Sequence, residues 1–326
     1  MTDTRRRVAV FSLGGTIAMT SQDAGGATPT LSAGDLVAAV PGLAETGVAI
    51  EVRDFRRLPG ASLAFHDLLD LVAEIEALDV DGVVITQGTD TIEETSYLID
   101  LVYSAEIPIV VTGAMRNASM AGADGPANVL AAVRVAASFE ARGTGAVVVF
   151  GEEIHAARWV RKAHATSPTA FTSYPGPIGY VAEDRVRIWS QPTEEPKIPR
   201  QQLSNHARTA VALIGLGDDG VVLRAIGAQV DGLVVAAFGA GHVPIGCVDA
   251  LANLAKEMPV ILATRTGAGP VLTDTYGFPG SEADLLARGL LAANTLGPIK
   301  ARILLQLLLM QGADHNEIAE HLSLIH

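Results

Sequence analysis

The sequence predicts an α/β fold in two domains: a larger N-terminal domain with a mostly parallel sheet, and a smaller C-terminal α/β domain that also has a parallel sheet. Apolar runs of strand length alternate with segments whose apolar residues recur at helical spacing. Such alternation is typical of parallel sheets that are covered by helices on both faces. The chain has 326 residues, which is more than one average domain.

The first part of the chain contains two predicted strands and two predicted helices. Residues 8–13 form an apolar run of strand length, and residues 48–55 alternate apolar and polar side chains. Between them, residues 36–40 predict a short helix that the following Pro-Gly pair ends. Residues 62–78 carry leucine, valine and isoleucine at helical spacing, which predicts a longer helix.

The same alternation continues to residue 150. Short apolar runs predict strands at 83–86, 109–112 and 146–150. Helices are predicted between these strands, at 91–104 and 128–139. Strands that are connected by helices in this way are expected to lie parallel in one sheet.

A polar segment separates the two predicted domains. Residues 190–202 contain three prolines and few apolar side chains, as interdomain linkers do. We therefore expect a larger domain at 1–190 that carries the catalytic candidates, a linker at 191–208 and a smaller domain at 209–326. The strands and helices predicted in the smaller domain are 210–214, 232–237, 260–263, 298–311 and 315–322.

Composition argues against several functional classes. The net charge of −13 disfavours nucleic-acid binding, which needs clustered Lys and Arg. The single cysteine, Cys247, allows no intrachain disulfide and is expected to be a small buried hydrophobe near a helix start. The eight histidines are scattered, so we predict no metal site. The apolar runs are too short for a signal-peptide core or a membrane span, so we expect a cytoplasmic protein with no membrane partner.

One glycine-rich segment resembles a dinucleotide-binding motif. Gly215-Leu-Gly-Asp-Asp-Gly220 fits the G-x-G-x-x-G pattern and follows a predicted strand. Asp218 and Asp219 would stand where the pyrophosphate must lie, and no acid that could bind a ribose follows the next strand. We therefore expect an ordinary turn here and predict no cofactor. A nicotinamide-cofactor titration would test the alternative, a dehydrogenase.

Two other glycine turns place hydroxyl groups at the ends of predicted strands. Gly14-Gly15-Thr16 follows the first strand, and Gly88-Thr89-Asp90-Thr91 follows the third. In an open α/β sheet, ligands bind just outside the carboxyl ends of the strands. Two hydroxyls at that edge, one of them beside a carboxylate, indicate nucleophilic chemistry.

Each of these threonines also has an alternative structural role. Thr16 could serve as the N-cap of a helix. Thr91 and Glu94 fit the T-x-x-E pattern of a capping box, which would account for both residues. That box leaves Thr89 and Asp90 in the loop without a structural explanation.

These segments resemble the two-threonine family of bacterial L-asparaginases, which also includes glutaminase-asparaginases. The likeness covers nearly the whole length. Its most specific motif is Thr-Gln-Gly-Thr-Asp-Thr-Ile-Glu-Glu-Thr at 86–95, whereas Gly-Gly-Thr-Ile alone would be a weak signal. The other matching segments are 12–18, 113–116, 123–128, 276–278 and 300–302.

The resemblance implies roles for the matching catalytic residues. Thr16 would be the nucleophile that attacks a side-chain amide. Thr89, Asp90 and Lys162 would form a second cluster, in which Lys162, matched through an Arg-x-x-x-Lys pattern, acts as a base. Asp90 would either orient that lysine or pair with the α-ammonium group of the substrate. Without the resemblance, Lys162 would be taken for a solvated side chain beside two arginines.

The resemblance also implies a substrate-binding edge. The backbone N–H groups around Gly15 and Gly88-Thr89 are the candidates for stabilising an oxyanion. The family serine that holds the substrate carboxylate aligns with Ala61 or Ser62, and both alternatives stay open. Ser62 is also well placed as the N-cap of the helix predicted at 62–78.

Two departures from the family pattern bear on the chemistry. Family members have a tyrosine on a mobile loop after the first threonine, but residues 19–31 contain no tyrosine here. Gly25-Gly26 still permits a hinge, so we expect a loop that orders when ligand binds. In the smaller domain, Gly239-Ala-Gly-His242 stands where the family has an asparagine-containing turn, and the family's glutamate has no clear match. Substrate selectivity is expected to differ accordingly.

The resemblance as a whole implies an enzyme that hydrolyses L-asparagine to L-aspartate and ammonia through a threonine acyl-enzyme, without a cofactor. It further implies a homotetramer built from dimers. One alternative is a broader amidase that acts on glutamine or another β-amide. Another is a non-catalytic regulator that binds an amino acid on the same scaffold.

Overall fold

The computed structural model describes residues 5–15, 17, 19–21, 27–29, 32–193 and 195–325. By its internal contacts the chain divides into two compact units, Met1–Glu194 and Glu195–His326. Each unit combines helices with a sheet, and the first is the larger of the two, which confirms the predicted fold class. The linker at 191–208 stays a prediction.

The described strands of the first unit belong to one large sheet and two hairpins. They are β1 (Arg7–Ser12), β2 (Met19–Ser21), β3 (Ala27–Pro29), β4 (Ala49–Asp54), β5 (Gly82–Thr86), β6 (Ile109–Thr112), β7 (Ala146–Phe150), β8 (Glu153–Ala156), β9 (Val160–Lys162), β10 (Phe171–Ser173), β11 (Gly179–Ala182) and β12 (Arg185–Ile188). The eight-stranded sheet has the order β12-β11-β8-β7-β6-β5-β1-β4. Its pairs from β4 to β7 are parallel, and its pairs from β7 to β12 are antiparallel.

Helices cover the central strands of this sheet. The α-helices are α1 (Ala33–Ala38), α2 (Phe65–Glu76), α3 (Ile92–Val102) and α4 (Gly125–Ala136). Every residue of β5, β6 and β7 is buried, as expected for strands packed on both faces. Because the strands from β4 to β7 are parallel, their carboxyl ends meet at one edge, where the candidate residues follow β1 and β5.

The antiparallel edge of the sheet was not predicted from the sequence. The five strands predicted up to residue 150 are confirmed, but residues 153–188 contain five further strands. These have three or four residues each, and β11 and β12 alternate buried and exposed positions. Segments so short carry too few apolar residues for periodicity to identify them.

The helix predicted at 62–78 begins later than expected. Gly60–Ser62 is a separate 3₁₀ turn, and α2 begins at Phe65. The Asp67 carboxylate accepts a hydrogen bond of 3.0 Å from the Ala64 N–H and thereby satisfies the start of the helix. The prediction that Ser62 is the N-cap of this helix is therefore wrong.

The second unit is a smaller α/β unit with a parallel sheet. Its described strands are β13 (Thr209–Leu213), β14 (Gly232–Ala237), β15 (Val260–Thr264) and β16 (Leu291–Ala292), in that order across the sheet. Its helices are α5 (Val221–Gly227), α6 (Ile245–Glu257), α7 (Glu282–Ala287), α8 (Pro298–Gln311) and α9 (His315–Ser323). All three strand pairs are parallel, as predicted. In the part of the chain that the structure describes, no helix is long and apolar enough to cross a membrane.

Candidate functional site

Glycines let two backbone loops touch at the carboxyl ends of β1 and β5. Gly15 has φ +88°, and a Cβ added there would lie 2.0 Å from the backbone nitrogen of Gly88. Gly14 has φ +99°, and its Cβ would lie 2.7 Å from the Leu58 carbonyl oxygen. Only glycine fits both positions, because the conformation is left-handed and the space is already filled. Thr16, the predicted nucleophile, follows this contact but lies outside the described residues.

Thr91 ties a third loop to this contact. Its hydroxyl donates a hydrogen bond of 3.0 Å to the Gly60 carbonyl oxygen and accepts one of 3.3 Å from Gln87 Nε2. The predicted capping box of Thr91 and Glu94 is wrong, because the Thr91 side chain makes no capping bond to α3. The hydroxyl is used to join the loops instead.

The two alternatives for binding a substrate carboxylate sit together on this third loop. Ala61 and Ser62 are both exposed, on the 3₁₀ turn Gly60–Ser62. The Gly60 end of that turn packs closely on Gly88, since a Cβ on Gly60 would lie 3.0 Å from the Gly88 carbonyl oxygen. The turn therefore borders the glycine contact, and the choice between Ala61 and Ser62 stays open.

Three predicted catalytic side chains lie within hydrogen-bonding distance of one another. Lys162 Nζ donates to Thr89 Oγ1 at 2.9 Å and to Asp90 Oδ1 at 2.8 Å. Thr89 is 5% exposed, the Lys162 side chain is 16% exposed and the Asp90 side chain is 67% exposed. The cluster thus has a buried hydroxyl at one end and a solvated carboxylate at the other, with the amine between them.

Lys162 reaches this place from an antiparallel hairpin. It is the last residue of β9, and its Cα is paired with that of Phe171 in β10. The Lys162 backbone N–H donates to the Glu93 carboxylate at 3.3 Å, and the Phe171 ring lies 4.8 Å from the ring of Phe150 on β7. The hairpin is therefore held from α3 and from the central sheet.

A second network orders the turn after β6, which lies directly behind Thr89. A Cβ on Gly113 would lie 3.3 Å from Thr89 Cγ2. Asn128 Nδ2 donates to the Gly113 carbonyl oxygen at 3.0 Å, and the Asp124 carboxylate accepts from the N–H groups of Met115 and Arg116 at 2.9 and 2.8 Å. The sequence signal for this network was the Ala-Asp-Gly-Pro segment and the following asparagine, which sequence reasoning had matched without assigning a role.

The dinucleotide-like turn in the second unit uses its own acids. The Asp218 carboxylate accepts a hydrogen bond of 2.6 Å from the Gly215 N–H, and the Asp219 carboxylate accepts one of 3.0 Å from the Val221 N–H. Cys247 is fully buried near the start of α6, as expected. Burial, together with the nearby Asp218 carboxylate, raises the pKa of its thiol.

A buried glutamate orients a histidine in the second unit. His242 Nε2 lies 3.1 Å from Glu282 Oε2, and the other carboxylate oxygen of Glu282 accepts from the Tyr276 N–H at 2.7 Å. Although burial opposes ionisation, these hydrogen bonds lower the pKa of Glu282 below its usual value. The His242 ring meets the rings of Tyr276 and Phe278 edge to face.

Two further features of the described residues were compared with the predicted site. A cavity of about 670 Å³ in the first unit lies between the end of α4 and strand β12, and none of its lining residues belongs to the Thr89–Asp90–Lys162 cluster. Among the described residues, no group of three or more His, Cys, Asp or Glu side chains is arranged to hold a metal ion.

Known proteins resemble this chain over nearly its whole length. Residues 7–194 match the family model "Asparaginase, N-terminal", and residues 210–322 match "Glutaminase/Asparaginase C-terminal domain". A probable L-asparaginase of Deinococcus radiodurans is 38% identical, over 96% of this chain and 95% of its own length. An L-asparaginase of Bacillus licheniformis is 33% identical, over 93% and 95%. The crystal structure of a probable cytoplasmic L-asparaginase from Campylobacter jejuni superposes with a TM-score of 0.87 at 30% identity, over 98% and 99% of the two chains.

Proposed function

The chain belongs to the asparaginase family, and from that premise we propose that it hydrolyses the side-chain amide of L-asparagine to give L-aspartate and ammonia. The observation that carries the proposal is the placement of Lys162 Nζ within 3 Å of both Thr89 Oγ1 and Asp90 Oδ1. An amine beside a buried hydroxyl is the arrangement that proton transfer to and from a threonine requires.

The proposed reaction has two covalent steps. The Thr16 hydroxyl attacks the amide carbon, its proton passes to the leaving nitrogen, and ammonia departs from an aspartyl ester. Water then attacks that ester, and its proton returns to the Thr16 oxygen as aspartate leaves. Lys162, as the free amine, exchanges protons with the Thr89 hydroxyl.

The loops around the glycine contact would supply binding and charge stabilisation. The backbone N–H groups of Gly15, Gly88 and Thr89 are proposed to stabilise the oxyanion in each step. Asp90, two thirds exposed, can meet the α-ammonium of the substrate while Oδ1 stays with Lys162. Ala61 or Ser62 would hold the α-carboxylate from the exposed turn.

The family description supports one second candidate, a broader amidase. The model that matches residues 210–322 covers glutaminases as well as asparaginases. Relative kcat/KM values for asparagine, glutamine and their D-isomers separate the two. A regulator that binds the amino acid without hydrolysing it would release no ammonia from any of them.

Two further parts of the proposal concern the assembly and its place in the cell. We propose a homotetramer built from dimers, as the family resemblance implies, which light scattering would test by a mass four times that of one chain. We propose a cytoplasmic location, which the description of the Campylobacter jejuni structure supports. Fractionation of the native cells tests this.

Hydroxyl removal is the decisive experiment on the proposed chemistry. Thr16→Val and Thr89→Val should each lower kcat for ammonia release by at least ~10³-fold, because covalent catalysis is lost. Thr16→Ser and Thr89→Ser keep a hydroxyl and serve as matched controls, with more activity expected than in the valine variants. Near-normal turnover of Thr16→Val would refute the assignment of the nucleophile.

A further inference from the structure

A buried histidine makes a side-chain hydrogen bond to the hairpin that carries Lys162. His155 lies on β8 of the large sheet and is fully buried. Its Nδ1 is 2.9 Å from Ser173 Oγ, on β10. Its Nε2 is 3.4 Å from a Glu153 carboxylate oxygen, without hydrogen-bond geometry to any described residue.

The surroundings of His155 fix its charge and its tautomer. Burial lowers the pKa of His155 to about 4, so the ring is neutral at neutral pH. A bare Nε2 lone pair facing the Glu153 carboxylate would be repelled, so the proton belongs on Nε2. Nδ1 is then the acceptor, and the Ser173 hydroxyl is the donor of the 2.9 Å bond.

This bond lies close to the lysine in the hairpin. Ser173 is paired with Val160, two residues before Lys162 on the same strand. Each strand of the hairpin has three residues, and a two-stranded hairpin of that size has little stability of its own in water. Its position over the sheet must therefore come from anchors such as His155.

We propose that His155 is a positioning residue for Lys162. Its hydrogen bond to Ser173 fixes the β9–β10 hairpin on β8, so that the Lys162 amine stays in contact with Thr89 and Asp90. His155 itself is not placed in contact with the substrate. The inference rests on the proposed function for its catalytic consequence, but the positioning can be measured without any turnover.

The experiment compares the reactivity of the Lys162 amine in four variants of the full chain. His155→Leu removes the acceptor, Ser173→Ala removes the donor, and the double variant removes both. His155→Asn keeps an oxygen at about the place of Nδ1. Each protein is treated briefly with acetic anhydride, and acetylation of Lys162 is measured by peptide mass spectrometry relative to the exposed Lys256 in the second unit.

A freed hairpin should expose the amine. We expect relative labelling of Lys162 to rise at least about 5-fold in His155→Leu and in Ser173→Ala, with no further rise in the double variant, as coupled residues behave. His155→Asn should stay within about 2-fold of the unmodified chain, because the acceptor is retained. With asparagine as substrate, kcat of the first two variants should fall about 10-fold, with KM changed less than 2-fold.

The outcomes separate the positioning role from the proposed function. Unchanged Lys162 labelling in Ser173→Ala, a change at a surface-near position of the hairpin, would overturn the inference even if His155→Leu failed to fold. Equal labelling in His155→Asn and His155→Leu would overturn it as well. If labelling changes as expected but the unmodified chain releases no ammonia from asparagine, the positioning stands and the proposed function fails.

Discussion

Two turns of similar sequence have different structural roles in this protein. The site turn, residues 86–91, follows β5, and the acidic turn, residues 214–220, follows β13. Both are rich in glycine and aspartate, and both connect a parallel strand to a helix. In the site turn, Asp90 bonds to Lys162, 72 positions away, whereas in the acidic turn Asp218 bonds to the backbone of Gly215, three positions away.

The range of the contact is what separates the two turns. An acid that closes its own turn satisfies a local N–H group and is no longer available to a ligand. An acid whose partner comes from another element can bring together groups that the chain alone would never juxtapose. The comparison therefore predicts catalytic effects from changes in the site turn and effects on stability alone from changes in the acidic turn.

The largest difference is expected from the basic partners of the two turns. Lys162→Met should lower kcat by at least ~10³-fold with the fold retained, because proton transfer through Thr89 is lost. Arg224→Met is the matched change, since Arg224 contacts the backbone oxygen of Asp219 in the acidic turn. We expect it to leave kcat unchanged. Assays of ammonia release, with circular dichroism of both variants, test the pair, and an active Lys162→Met would return Lys162 to the role of a solvated side chain.

Glycine substitution should separate the two turns by stability. Gly15→Ala combines left-handed strain with a Cβ placed 2.0 Å from the Gly88 nitrogen, and should lower the free energy of unfolding by about 3 kcal/mol or more. Gly217 also has a positive φ, +86°, but a Cβ there would meet nothing within 4 Å. Gly217→Ala should therefore cost only about 1 kcal/mol. Urea unfolding measures both, and equal costs would mean that the two loops move apart easily.

Removal of the two carboxylates should have opposite readouts. Asp90→Ala should reduce kcat/KM about 10²-fold and change stability by less than about 1 kcal/mol, because its ion pair with Lys162 is largely solvated. Asp218→Ala should cost about 1–2 kcal/mol of stability through the lost bond to the Gly215 N–H, with kcat/KM unchanged. A catalytic defect in Asp218→Ala would contradict the assignment of the acidic turn to structure.

The smallest effect is expected from the cysteine beside the acidic turn. Because burial raises the pKa of Cys247, its thiolate fraction at pH 8 is below that of a free thiol and grows only at higher pH. Iodoacetamide should therefore alkylate the native protein slowly at pH 8, and faster after unfolding in urea. Cys247→Ala should keep full activity. Rapid native alkylation accompanied by loss of ammonia release would show that this region takes part in the reaction.

The hydrophobic pattern was sufficient to predict the parallel part of the fold. The strands up to residue 150 are fully apolar runs, and the helices between them show helical spacing, so both periodicities are visible in the sequence. The strands between 153 and 188 escaped prediction because each is short and held by its neighbours in the sheet. That unpredicted stretch includes β9, the strand from which Lys162 reaches the candidate site.

The local roles of hydroxyl groups could not be predicted from motifs. Thr91 fits a capping box and Ser62 a helix N-cap, yet the structure uses neither side chain in that way. In both places another partner was nearer: the Gly60 carbonyl for Thr91, and the Asp67 carboxylate for the first N–H of α2. A motif states which hydrogen bonds are possible, and the surrounding fold selects among them.

The sequence by itself determined the fold class, the family and the glycine turns, because strand and helix periodicities and the conformational freedom of glycine are local properties. Only the tertiary structure decided that Thr89, Asp90 and Lys162 meet, that Asp218 and Asp219 do not form a binding site, and that His155 holds Ser173. The physical reason is the range of the interactions: the pairings that form the candidate site join elements far apart in the chain, and these become neighbours only when the sheet assembles.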